Sequence, residues 1–341
     1  MVASLDNLEL DEQAAGFLKE NRIGNIVHFG NTARDRVQVA ALNRDAARLI
    51  EESTGIPPLI TIDHEGGRVM RFSEGITWFP SAMAIGASGS EDLAYQVGRA
   101  MGVELRAVGI HLNFAPVLDV NSNARNPVIG VRSFGDDPAR VGRLGAAMAR
   151  GMQEAGLLAC GKHFPGHGDT EVDSHLGLPR VEKTLEALRR VELAPFAEAI
   201  RAGLSSVMTS HILYPALESL QVPATMSGSI LLGLLRGQMG FDGLILSDGM
   251  QMQAIAKFYG VERGCVEAVK CGCDLLCIGT AGQGWGQTQA ACCRAVLKAA
   301  ESGEIPMARI DDSVARVLRV KEKIFEAKAP AVDWAKNAAL A

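Results

Sequence analysis

Lys162-His163-Phe164-Pro165-Gly166-His167-Gly168-Asp169-Thr170, running on to Asp173-Ser174-His175, gathers one lysine, three histidines and two aspartates in one short stretch. The apolar run Leu157-Leu158-Ala159-Cys160 leads into it, and Pro165, Gly166 and Gly168 interrupt regular structure. The pattern predicts a buried strand opening into a loop of titratable groups, which is either a site or a solvated polar connection. Asp173 and His175 are two residues apart, so a carboxylate oxygen can reach an imidazole nitrogen, orient the ring and favour its protonated form. An imidazole of ordinary pKa, about 6.5, suits proton transfer at neutral pH.

Asp248 follows the strand-like Leu244-Ile245-Leu246, and Gly249 after it leaves room beside the carboxylate. A lone carboxylate in that position can be a nucleophile, a general base, a metal ligand or a helix cap. With one proton donor it makes the minimal kit of a retaining glycosidase. Arg68, Arg71, Arg132, Lys162 and His163 would then donate to sugar hydroxyls, and Asp63 would accept. A metal hydrolase built on His163, His167, Asp169, Asp173 and His175 competes with this reading. Against it, the first strand lacks the His-x-His or His-x-Asp spacing of many barrel metal centres. A sugar-binding barrel without chemistry is the third reading.

These side chains need elements to hold them. Strand-like runs at Asn25–Phe29, Pro58–Ile62, Ile110–Val117, Leu157–Cys160, Ser206–Thr209, Leu244–Leu246 and Leu275–Ile278 alternate with helical patterns. The helices are expected at Arg34–Ser53, Glu91–Val108 (Ala100, Val103 and Leu105 inward), Ala139–Ala155, Thr184–Ala202, Ser227–Met239 and Ile310–Ala327. Strand–helix alternation implies βαβ units around a parallel sheet. About seven or eight units, with no glycine-rich dinucleotide fingerprint after the first strand, favour an α/β fold of the closed (β/α)8 TIM-barrel type, irregular at its first strands. Asp63, Asp119, His163, His211 and Asp248 each follow the apolar body of a different strand, and in a barrel those ends converge on one face. Asp119 can equally cap the next helix.

The chain has 341 residues, 48% hydrophobic and 21% charged, with a formal net charge of -5. That balance, with no basic run, argues against a nucleic-acid surface, and no apolar stretch is long enough for a bilayer. Met1 to Glu20 shows no apolar core followed by a cleavage site, so the expected location is cytoplasmic. Seven cysteines are an odd number for a disulfide framework. Cys265, Cys271, Cys273 and Cys277 are close enough for a metal site but lack paired C-x-x-C spacing, so core thiols are expected. No linker divides the chain, and one domain over 1–341 is expected, with a loosely held tail at 328–341.

The central motif resembles the glycoside hydrolase family 3 β-N-acetylglucosaminidases. Ile62-Asp63-His64-Glu65-Gly66-Gly67-Arg68-Val69, Phe114 to Val120, Asn126 to Gly135 and Leu246-Ser247-Asp248-Gly249-Met250-Gln251-Met252 fit in the same order. The similarity covers roughly residues 20 to 325. It implies that Asp248 is a catalytic nucleophile forming a covalent glycosyl-enzyme, and that His175 is the acid/base with Asp173 as its partner. It places Asp63, Arg71, Arg132, Lys162 and His163 around an N-acetylglucosamine ring, and calls for no metal or cofactor. The implied activity is release of N-acetylglucosamine from small carbohydrates, peptidoglycan turnover fragments ending in anhydro-N-acetylmuramic acid among them, by a protein expected to be monomeric. A family 3 β-glucosidase remains an alternative. So does a phosphorylase, because a neutral histidine does not repel an incoming phosphate. The chain departs from the family at Gly249, where a second aspartate is frequent, at His64, where glutamine is common, and at Val131, where an acidic residue is common.

Overall fold

The structure, a computed structural model, describes residues 1–171, 177–279, 285–327, 329–332 and 334. Eight parallel strands close into a barrel in chain order: β1 (Val2–Ser4), β2 (Asn25–His28), β3 (Leu59–Ile62), β4 (Leu112–Asn113), β5 (Leu158–Phe164), β6 (Ser206–Thr209), β7 (Leu244–Gly249) and β8 (Leu275–Ile278). Strand β1 pairs with both β2 and β8, so the sheet has no free edge. The expected TIM-type barrel is the fold.

The irregular start expected of the barrel lies in β1 and β4. The first strand is Val2–Ser4, ahead of every strand-like run expected from the sequence. Three residues buried on both faces carry no readable period. Strand β4 has two residues where Ile110 to Val117 was expected, with pairing resumed only by a bridge from Val117 to Lys162. Strand β5, in contrast, continues past Cys160 through Lys162 and His163, so the predicted loop starts later.

Thr184 to Ala202 folds as two helices, Leu185–Arg190 and Ala194–Arg201. Pro195 sits in the first turn of the second, where its missing N–H does no harm. Between them Glu192 is buried and takes an ion pair from Lys183 at 2.5 Å. In Glu91–Ala107 the buried face is Ala94, Val97, Gly98, Met101 and Leu105; Ala100 points to solvent. That helix is turned by its contact with Pro138–Glu154. A Cβ on Gly98 would lie 2.1 Å from Met148 O, and one on Gly151 2.2 Å from Tyr95 O, so the two backbones touch where only glycine fits.

Inside the barrel Val2, Val27, Leu59, Leu112, Leu158, Leu244 and Leu275 form one apolar plug, closed below by Ile324 of the helix Met307–Glu326. That helix is tied down by Arg309, which reaches the buried Asp274 at 2.9 Å, while Arg236 holds the same carboxylate at 2.6 Å. Above the plug, Phe114, Met208 and Cys277 form an apolar floor for the opposite end of the barrel. All seven cysteines are unpaired and five are buried, as core thiols should be. Among the described residues no helix is long and apolar enough to cross a membrane.

Candidate active site

At the end of β3 the chain stays extended, so Asp63 and Glu65, two residues apart, fall on the same side. A short hairpin, His64–Gly66 against Val69–Met70, then returns Arg71 to the same place. It turns on Gly66 and Gly67, with φ of 91° and 56°, and a Cβ on Gly66 would lie 2.3 Å from Pro80 O. Lys162 arrives from β5. Its Nζ is 2.6 Å from Asp63 Oδ1 and 2.6 Å from Glu65 Oε1. Arg71 donates to Asp63 Oδ2 at 2.7 Å, and Arg132 makes a two-pronged bond to Glu65 at 2.8 and 2.7 Å.

Two carboxylates and three cations thus interlock in a nearly buried row. Burial alone would push Asp63 up, but Lys162 and then Arg71 hold its carboxyl well below the usual range. Glu65 is likewise raised by burial but brought to about 2 by Lys162 and Arg132. Burial works against the charge on Lys162, yet Asp63 and Glu65 raise its pKa overall. Asp63, Glu65, Lys162 and Arg132 are charged at neutral pH. Each is held in place before any ligand arrives.

His163 follows Lys162 on the same strand. Its Nδ1 donates to Asp119 Oδ2 at 2.7 Å, which turns Nε2 toward Arg132, 3.5 Å away. Asp119 is fully buried and also accepts the backbone N–H of His167 at 2.6 Å. It neither caps a helix nor faces the cavity; it orients His163 from behind. His211 is also a support. It is buried, with Nε2 3.0 Å from Gly249 O, so it braces the turn after Asp248.

Asp63, Arg71, Arg132, Lys162, His163 and Asp248 line one cavity of about 260 Å³ on the C-terminal face of the barrel. Asp248 Oδ1 accepts the N–H of Gly249 at 2.7 Å. Arg68, expected among the sugar donors, is exposed on the hairpin and does not line the cavity. Val131 is exposed beside Arg132. Asp173 and His175 lie outside the described residues. Among the described residues no group of three or more metal-ligating side chains comes together. Glu65 escaped sequence reasoning; its signal was the two-residue spacing from Asp63 in an extended segment.

His64 points the other way, against the rings of Phe72 and Phe79, and neither ring nitrogen has a hydrogen-bond partner among the described residues. Burial, helped by the charge of Arg71, lowers its pKa to about 4. Burial likewise lowers His167 to about 4 and His111 to about 3. Unfolded, each imidazole takes a proton near about pH 6.5. These groups therefore leave stability intact above that pH, and it falls as pH drops from there through about 4, by up to roughly 1.4 kcal/mol per imidazole per pH unit. The thermal midpoint should decline between pH 7 and 5. His64→Leu should raise the midpoint at pH 7 and flatten that decline; a slope unchanged by the substitution would contradict the assignment.

The family model for the glycosyl hydrolase family 3 N terminal domain matches residues 2–320. A curated β-hexosaminidase A of Pseudoalteromonas piscicida is 36% identical over 334 residues, covering 90% of this chain and 54% of that protein. The structure of a family 3 β-N-acetylglucosaminidase from Paenibacillus sp. str. FPU-7 is similar with a TM-score of 0.93 and 45% identity, covering 97% of this chain and 62% of that one. NagZ from Neisseria gonorrhoeae, solved with N-trifluoroacetyl-D-glucosamine, has a TM-score of 0.79 and 32% identity, covering 99% of this chain and 96% of that one. The chain therefore spans about half the length of the Pseudoalteromonas relative and under two thirds of the Paenibacillus one.

Proposed function

The chain belongs to the glycosyl hydrolase family 3 N-terminal domain family, and from that premise we propose that it is a retaining exo-β-N-acetylglucosaminidase. The observation that carries this reading is one cavity holding Asp248 together with five fixed polar side chains. Its volume, about 260 Å³, falls just below the ~300–1,000 Å³ of drug-sized sites, which suits a single terminal sugar. Asp63 accepts from the ring hydroxyls, Arg71, Arg132 and Lys162 donate to them, and His163, whose Nδ1–H is spent on Asp119, accepts through Nε2.

Asp248 attacks the anomeric carbon as the glycosidic C–O bond breaks, and His175, paired with Asp173, protonates the departing oxygen. Water then gives a proton to His175 and its oxygen to the anomeric carbon, freeing Asp248. The natural substrates are peptidoglycan turnover fragments in the cytoplasm, N-acetylglucosamine being cut from anhydro-N-acetylmuramic acid. That extension rests on the family resemblance of the central motif.

The test is initial rates on 4-nitrophenyl β-N-acetylglucosaminide and the matching β-glucoside in chelator-treated buffer. Fast release from the first alone is expected. Preference for the glucoside would overturn the substrate, loss of activity with chelator would restore the metal reading, and release from neither would favour a sugar-binding barrel.

A further inference from the structure

We propose that Gln251 sets the preference for a 2-acetamido sugar by donating a hydrogen bond from its side-chain amide to the acetamido carbonyl. The inference rests on the glycosidase reading above and adds a residue to it. After β7 the backbone folds back: Met250 N–H donates to Cys277 O at 2.9 Å, and Met252 N–H to Gly249 O at 3.0 Å. This tight turn brings the side chain of Gln251 over Gly249, where there is no side chain to oppose it. A Cβ on Gly249 would lie 2.9 Å from Gln251 Nε2. The amide occupies the space that a residue with a side chain at 249 would claim.

The amide's orientation follows from its partner. Gln251 Oε1 accepts the backbone N–H of Gly279 at the end of β8, at 3.1 Å. A backbone N–H can only donate, so the oxygen faces Gly279 and the nitrogen takes the other end. Nε2 carries two donors, and among the described residues the hydrogen bond of this side chain is the one at Oε1. Gln251, Gly249 and Asp248 all line the same cavity.

The wall formed by Asp63, Arg71 and Lys162 is committed to the hydroxyls of the ring. Gln251, three residues after Asp248, stands beside the carboxylate that reaches the anomeric carbon. The substituent nearest that carbon on the ring is the one at C2. A hydroxyl at C2 is short; an acetamido group extends further and ends in a carbonyl, which can only accept. A fixed, unspent N–H donor is the complement of that carbonyl.

The test is kcat/KM for the aryl β-N-acetylglucosaminide and the aryl β-glucoside in wild type, Gln251→Met and Gln251→Glu. The Met variant keeps the length and loses the donor, and should cut the N-acetylglucosaminide value by about tenfold. The Glu variant can still accept from Gly279 but turns an acceptor on the carbonyl, and should cut it by about a hundredfold. The glucoside value should stay within about threefold in both. Gln251 is half-exposed at the cavity wall, and the thermal midpoint of each variant serves as the check on folding. A wild-type preference for the N-acetylglucosaminide that survives unchanged in both variants, or an equal fall on both substrates, overturns this assignment alone. A wild-type preference for the glucoside overturns it together with the substrate reading.

Discussion

Asp248→Ala should lower kcat for an aryl β-N-acetylglucosaminide by roughly 10⁴-fold or more, the scale of losing a nucleophile in other hydrolases. The carboxylate is the only group proposed to bond with the anomeric carbon. The groups proposed to hold the ring are elsewhere: Asp63, Arg71, Arg132, Lys162 and His163 are paired with one another or with Glu65 and Asp119, not with Asp248. N-acetylglucosamine should therefore still bind the variant, with an affinity within about tenfold of wild type. Calorimetric titration and a rate assay on the same preparation separate the two effects. Activity near wild type would move the nucleophile to another carboxylate, and lost binding would mean that Asp248 holds the ring instead.

Lys162→Met should have the largest effect on stability. Lys162 is 1% exposed, and its ammonium neutralises Asp63 and Glu65 at 2.6 Å each. A methionine fits the space but leaves two buried carboxylates facing each other with one cation fewer between them. Removing one partner from a buried ion pair typically costs about 3–5 kcal/mol, most of it the price of the charge left behind. The pH dependence has a definite sign. Asp63 and Glu65 have folded pKa values below their unfolded ones, so their contribution is present above about pH 4 and is lost as pH falls toward the folded values. Without Lys162 those folded values rise, so the acid loss shrinks, and once they pass the unfolded values the deficit of the variant is smaller at pH 5 than at pH 7. Urea unfolding at pH 7 and pH 5 measures both. A variant within about 1 kcal/mol of wild type at both pH values would show that the row is looser than its distances imply. Catalysis should also suffer, by about 10³-fold in kcat/KM, because Asp63 loses one of its two anchors.

Much of this site was legible in the residues alone. Asp63, His163 and Asp248 stand out because each breaks an apolar strand at its carboxyl end, and a barrel sends those ends to one face. Asp119 and His211 fit the same pattern yet act one layer down, bracing His163 and the turn after Asp248. Nothing in a linear sequence distinguishes a side chain facing the cavity from one facing its wall, because that depends on strand tilt and register. Glu65 was hidden for a different reason. It lies beyond β3, in a hairpin too short to show its own pattern, and its role exists only through Arg132 and Lys162, both distant in sequence. The barrel was legible from alternation, but β1 and β4 were not, since two or three residues cannot display a period of two. Gln251 could be noticed only once Gly249 and Gly279 were seen to enclose it.

The most direct measurement is to trap the covalent intermediate. Incubation with a slow N-acetylglucosaminyl fluoride, followed by digestion and mass spectrometry, should find one N-acetylglucosaminyl group esterified to the peptide carrying Asp248, with the label discharged when water completes turnover. A label on a different carboxylate, or no label together with an α-configured first product, would contradict a retaining mechanism through Asp248.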